Sequence, residues 1–138
     1  MRKEIKEAIL AKKEAAGRIV QTILSNPDIS YEEFDHLFTL YLCEKFMLVE
    51  QELITDNFYE ICQLSAEKAS HLPKGMLDAS ELASKCGGAT TAMNKKVLFL
   101  LAVNREYRVD IQAPESVRVE TFTQLKRLVY RKLQEKKL

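Results

Sequence analysis

Between Pro27 and Pro73 the chain contains neither glycine nor proline, the residues that most readily break a helix. Apolar residues through this stretch return at helical rather than alternating intervals, which commits the segment to helix. "Ser30-Tyr-Glu-Glu33" has the form of a capping box, in which the serine oxygen accepts from the N3 amide and the glutamate returns to the cap amide. A helix opening there is expected to bury Phe34, Leu37, Phe38, Tyr41, Phe46 and Val49. Its best break is "Thr55-Asp-Asn57", where Asn57 can cap a new start with Glu60 three residues on. One unbroken helix is the alternative. "FYEICQLSAEKAS" then repeats the spacing through Phe58, Ile61, Leu64 and Ala69.

The flanks read the same way. Residues 3–25 place Ile5, Ala8, Ile9, Ala16, Ile19, Val20 and Ile23 on one face, with Lys and Glu opposite and Pro27 as the stop. "HLPKGMLDASELASKCGG" is loop-like, with a short helical turn expected after Asp78 and a stop at Gly87 and Gly88. Thr91 caps the next helix, whose Met93, Val97, Leu98, Leu100, Leu101 and Val103 cover much of its circumference and predict deep packing. "YRVDIQAP" is short and extended, Pro114 restarts a turn, and "Thr121-Phe-Thr-Gln124" is a second capping box opening a final helix. The expected class is all-α.

A chain of 138 residues supports one domain, or one small domain with a helical arm. With 46% apolar and 30% charged residues it reads as an ordinary globular protein rather than a disordered one. "MRKEIKEAILAKKEAAGR" is charged throughout, unlike a secretory signal, and "VLFLLAV" falls far short of the roughly 20 residues that span a bilayer. A cytoplasmic location without a membrane partner is expected. Cys43, Cys62 and Cys86 lack the paired spacing of a zinc site or a dithiol motif. Cys43 and Cys62 read as small buried hydrophobes, whereas Cys86, beside glycines, reads as an accessible thiol without a neighbouring His or Asp to activate it. The segment from Asp28 to Glu60 is acidic and both ends are basic. Such an asymmetry can mark a nucleic-acid or partner surface, and opposite faces of one helical protein attracting each other explain it equally well, with solvated faces as the leading reading.

No catalytic constellation emerges. His36 and His71 are far apart and lack ligand neighbours, and Glu32 and Glu33 fall on different sides of a helix. "CGGATTAMNKK" has neither the preceding strand nor the Lys-Ser/Thr pair of a phosphate cradle. Ala83 and Gly87 are spaced as in a helix-turn-helix motif, yet Gly88 stands where a branched apolar residue belongs and Lys96 falls on a core position. A buried "VLFLLAV" would also leave no polar face for base edges.

From about Asn57 to Leu133 the order of features resembles an acyl carrier protein: a glycine-containing approach to helix two, that helix, "YRVDI", a proline, a short third helix, and "VETF" opening the last. Tyr107, Val109, Ile111, Pro114, Val119 and Thr121 are its anchors. The resemblance implies a four-helix acyl-carrier-like bundle over residues 57–138, with residues 1–56 as an added helical arm or hairpin. The family's Asp-Ser-Leu triplet, whose serine takes the phosphopantetheine arm, falls on Ala92, Met93 and Asn94, so Met93 replaces the attachment serine. Lys95 and Lys96 follow where carrier proteins commonly present acidic residues. The chain is thereby similar to the acyl-carrier-related proteins of peptide maturation systems. That similarity implies a non-enzymatic binding or scaffold protein without a cofactor, meeting a biosynthetic or modifying enzyme through Cys86, Met93, Lys95 and Lys96. The alternatives are a true carrier holding 4′-phosphopantetheine on Thr90, Thr91 or Ser84, and a DNA-binding regulator; nucleic acid is the less expected partner and homodimerisation stays open.

Overall fold

The computed structural model describes residues 2–70 and 91–136. The fold is all-α: helices α1 (Arg2–Leu24), α2 (Tyr31–Phe46), α3 (Phe58–Ser70), α4 (Thr91–Tyr107), α5 (Ala113–Arg118) and α6 (Phe122–Glu135), with a 3-10 turn at Glu50–Glu52. Among the described residues the extended pairing is limited to one isolated antiparallel bridge, Asn57 to Thr121. The loop expected between Pro73 and Gly88, with its turn after Asp78, lies outside the described residues, as do His71 and Lys137.

α1 packs on α2 through Ala16, Val20 and Ile23, all buried, so the expected stripe faces inward along the second half of the helix. Of the capping box expected at Ser30 the serine half forms, its Oγ accepting from the Glu33 N–H at 3.1 Å, while no return bond from the Glu33 side chain is found among the described residues. α2 then ends earlier than its composition predicts. The backbone turns at Met47 with a left-handed φ of 56°, a conformation that is strained for a residue with a Cβ. Two groups hold the turn. Ser65, buried in α3, donates its hydroxyl to the Phe46 carbonyl at 2.9 Å and satisfies a helix-end acceptor, while Leu48 folds back into the core. Val49, expected inside, is consequently exposed, and its N–H donates to Glu52 Oε1 at 2.9 Å.

The bridge between Asn57 and Thr121 fixes where α3 and α6 begin. Phe58 donates its N–H to the Glu120 carbonyl at 2.9 Å and Phe122 donates to the Asp56 carbonyl at 2.8 Å. Both caps read in the sequence are present. Asn57 Oδ1 accepts from Glu60 at 2.9 Å, and Thr121 Oγ1 accepts from Gln124 at 3.0 Å while Gln124 Oε1 returns to the Thr121 N–H. With the two starts tied together, Phe58 and Phe122 stack at 6.4 Å.

The core is aromatic. Phe38 on α2 has ring neighbours Phe34 at 5.2 Å, Tyr107 at 5.5 Å, Tyr41 at 5.6 Å, Phe122 at 6.0 Å and Phe99 at 6.1 Å, all in the range where ring pairs attract beyond simple burial. One core therefore joins the first two helices to α4 and α6. After α4, Arg108 takes a left-handed φ of 56° and the chain doubles back along the helix. Asn104 Oδ1 accepts from the Ile111 N–H at 2.8 Å, and Lys96 Nζ donates to the Val119 carbonyl at 3.2 Å, so the segment carrying α5 runs antiparallel to α4.

Ion pairs link the elements, and one of them joins the acidic segment to the basic last helix. Lys126 on α6 meets Asp35 on α2, Lys45 meets Glu106 at 3.0 Å, Lys12 meets Glu44 at 3.4 Å and Lys132 meets Glu115 at 2.9 Å. Such part-exposed pairs orient helices more than they stabilise them.

Two substitutions in the same core separate packing from polarity. Phe38→Ala removes the central ring and is expected to lower stability by about 3–5 kcal/mol. Tyr107 is fully buried with a hydroxyl that has no hydrogen-bond partner among the described residues, so Tyr107→Phe is expected to be neutral or to raise stability by up to about 1 kcal/mol. Urea unfolding followed by circular dichroism reads both.

Candidate functional site

The candidate surface is the outward face of α4. Of the residues singled out in the sequence, Ser84, Cys86 and Thr90 lie outside the described residues, and Thr91 is described only by its backbone, as the first residue of α4. Met93, two residues further on, is 49% exposed. Lys95 and Lys96 are half-buried and engaged: Lys95 Nζ lies 5.8 Å over the Phe46 ring, and Lys96 makes its bond to Val119. Both cations therefore serve the packing of α4 as well as its charge.

The deep packing expected of this helix holds on one side only. Ala92, Phe99, Leu100, Val103 and Tyr107 are buried, whereas Val97, Leu98 and Leu101 are exposed by 48%, 40% and 56%. Met93, Val97 and Leu101 are separated by four residues each and share one face, with Leu98 beside them. The physical reason is that α4 is apolar on both sides, and a helical period identifies a stripe only against a polar opposite face. α3 packs on α4, and α5, a helix of six residues, leaves Val97, Leu98 and Leu101 exposed. An outward apolar stripe on a core helix was the feature that sequence reasoning missed.

Several titratable groups of α4 and its neighbours are engaged with one another. Tyr41 Oη donates to Glu106 Oε2 at 2.6 Å, and Lys45 approaches the same oxygen. Burial, then the Glu106 hydrogen bond and charge, push the Tyr41 phenol above its ordinary range. The Gln112 N–H and then Lys132 hold Glu115 below the usual carboxylate range. Among the described residues no group of three His, Cys, Asp or Glu side chains could hold a metal ion, and no helix is long and apolar enough to cross a membrane. The arrangement offers a contact surface: apolar side chains at helical spacing, bordered by cations.

Comparison with protein-family models, curated proteins and solved structures finds no match to this chain.

Cys43 and Cys62 are buried, as expected of small core hydrophobes. Burial pushes the Cys43 thiol from 9.0 up to about 11 and the Cys62 thiol up to about 12, the latter despite opposing charge from Lys96 and Lys95. Each folded value lies above its unfolded one, so the unfolded chain releases its proton first. The associated stability is present below the ordinary thiol value and is lost as pH rises towards those higher values. Maleimide labelling near pH 8, mapped by peptide mass, is expected to spare both thiols in the native protein and modify both in urea; rapid native labelling of either would contradict its burial.

Proposed function

We propose that the chain is a non-enzymatic binding or scaffold protein built on a degenerate acyl-carrier-like bundle, acting with a biosynthetic or peptide-modifying enzyme. In this reading α3, α4, α5 and α6 are the four helices of the bundle and α1 with α2 is the N-terminal extension. The position that matches the attachment serine is Met93, and the partner surface is the head of α4 around Met93, Lys95 and Lys96.

The observation that carries the reading is the exposure of Met93 at the front of an apolar stripe on a helix whose other side is in the core. A thioether has no hydroxyl to accept a phosphopantetheine arm, but it is polarisable and adaptable and suits a contact surface. Support for the bundle comes from its anchors: Tyr107, Val109, Ile111 and Val119 are buried, and Thr121 caps the last helix. The outward side chains Val97, Leu98 and Leu101 offer no hydrogen bonds to base edges, which favours a protein partner over DNA.

Incubation of the full chain with coenzyme A and a broad-specificity phosphopantetheinyl transferase, followed by intact mass, tests the reading. An unchanged mass is expected while a conventional carrier protein in the same tube is modified. Addition of a phosphopantetheine mass would overturn the reading in favour of a working carrier, with Thr90, Thr91 and Ser84 as the hydroxyls to map.

A further inference from the structure

We propose that the outward face of α4 receives an acidic amphipathic helix of a partner protein. The inference rests on the binding-module reading above and names the chemistry of the partner at that surface. Met93, Val97 and Leu101 are spaced as successive turns of one helix and are each about half exposed, with Leu98 alongside and Val117 of α5 more exposed still. From Met93 to Leu101 the stripe is about 12 Å long at 1.5 Å per residue, matching two to three turns of a partner helix with apolar residues at i, i+3 or i+4, and i+7.

The charge around the stripe selects the sign of that partner. Arg105 lies on the exposed side of α4, one turn beyond Leu101, and Arg108 and Arg118 are exposed at the two ends of the segment that doubles back along the helix. Two of the four acids of the same region are occupied by cations. Glu106 is bound by Tyr41 and Lys45, and Glu115 by Lys132 and Arg131; Asp110 is exposed and accepts from the Gln112 side chain, and Glu120 is exposed. Among the described residues the exposed charge at the end of α4 and along this segment is therefore net positive, Arg105, Arg108 and Arg118 against Asp110 and Glu120. A helix with Glu or Asp flanking its apolar stripe gains from these cations and a Lys-flanked helix is repelled, an effect that sets partner choice and is weakened by salt. A second copy of this chain fits less well, because an α4 laid on α4 brings the same unneutralised arginines together.

Two fluorescein-labelled synthetic helices of about 18 residues, roughly five turns, share one Leu stripe and differ only in Glu or Lys flanks. Anisotropy titration with the full-length protein is expected to show the Glu-flanked helix binding at least about tenfold tighter at low salt, with the preference collapsing at high salt. Leu101→Asp is expected to abolish binding of both peptides, and Arg105→Glu to reduce the preference for the Glu-flanked one; circular dichroism confirms that each variant keeps its helix content. Equal binding of the two peptides, preference for the Lys-flanked one, or no binding of either overturns the proposal. Self-association in sedimentation velocity that Leu101→Asp abolishes also overturns it, in favour of a second copy. None of these results alters the mass readout, so failure of the acidic-helix partner and failure of the carrier-like reading remain distinguishable.

Discussion

The packing of Phe38 against Phe34, Tyr41, Phe99, Tyr107 and Phe122 is the contact on which the other helices depend. Each of these rings removes a large apolar area from water, worth roughly 1.5–3 kcal/mol for a fully buried side chain. Their geometry also fixes orientation, because α2 supplies Phe34, Phe38 and Tyr41 while α4 and α6 supply the rest. The hydrogen-bonded start of α3 and α6 at Asn57 and Thr121 then sets the register in which Phe58 and Phe122 reach that cluster. Ion pairs such as Lys126 with Asp35 close the periphery around a position already determined by the rings.

A consequence follows for α4. Phe99, Val103 and Tyr107 anchor one side of the helix so firmly that its other side has a fixed presentation. An apolar face on a mobile element would collapse onto the nearest surface, whereas one held by a packed core stays available to a partner at low entropic cost. The same anchoring occupies Lys95 and Lys96, whose side chains lie on Phe46 and on the Val119 carbonyl. One turn beyond the stripe formed by Met93, Val97 and Leu101, Arg105 is exposed.

Features that depend on local chemistry were legible in the sequence. The caps at Ser30, Asn57 and Thr121 each place a side-chain oxygen against an amide two or three residues on, and all three form. Burial of Phe34, Phe38, Tyr41 and Phe46 followed from their spacing. The end of α2 was not legible, because Met47 is no helix stop by itself and the hydroxyl that stabilises the turn comes from Ser65 in the next helix. The exposure of Val97, Leu98 and Leu101 was hidden for a related reason: a run of apolar residues predicts burial wherever enough surface is available to cover it, and that supply is a property of the whole fold. For the site, the sequence marked Met93 and the lysines but gave no sign that the apolar surface continues to Leu101.

The central claim is that α4 is a core helix with a solvent-facing apolar stripe. Methyl-resolved NMR of the full chain in the presence of a soluble paramagnetic agent tests it most directly. The methyl signals of Met93, Val97 and Leu101 are expected to broaden strongly, while those of Val103, Leu125 and Val129, all fully buried, keep their intensity. Val97 and Leu101 signals as protected as that of Val103 would show the stripe to be covered within the chain, and would contradict the account.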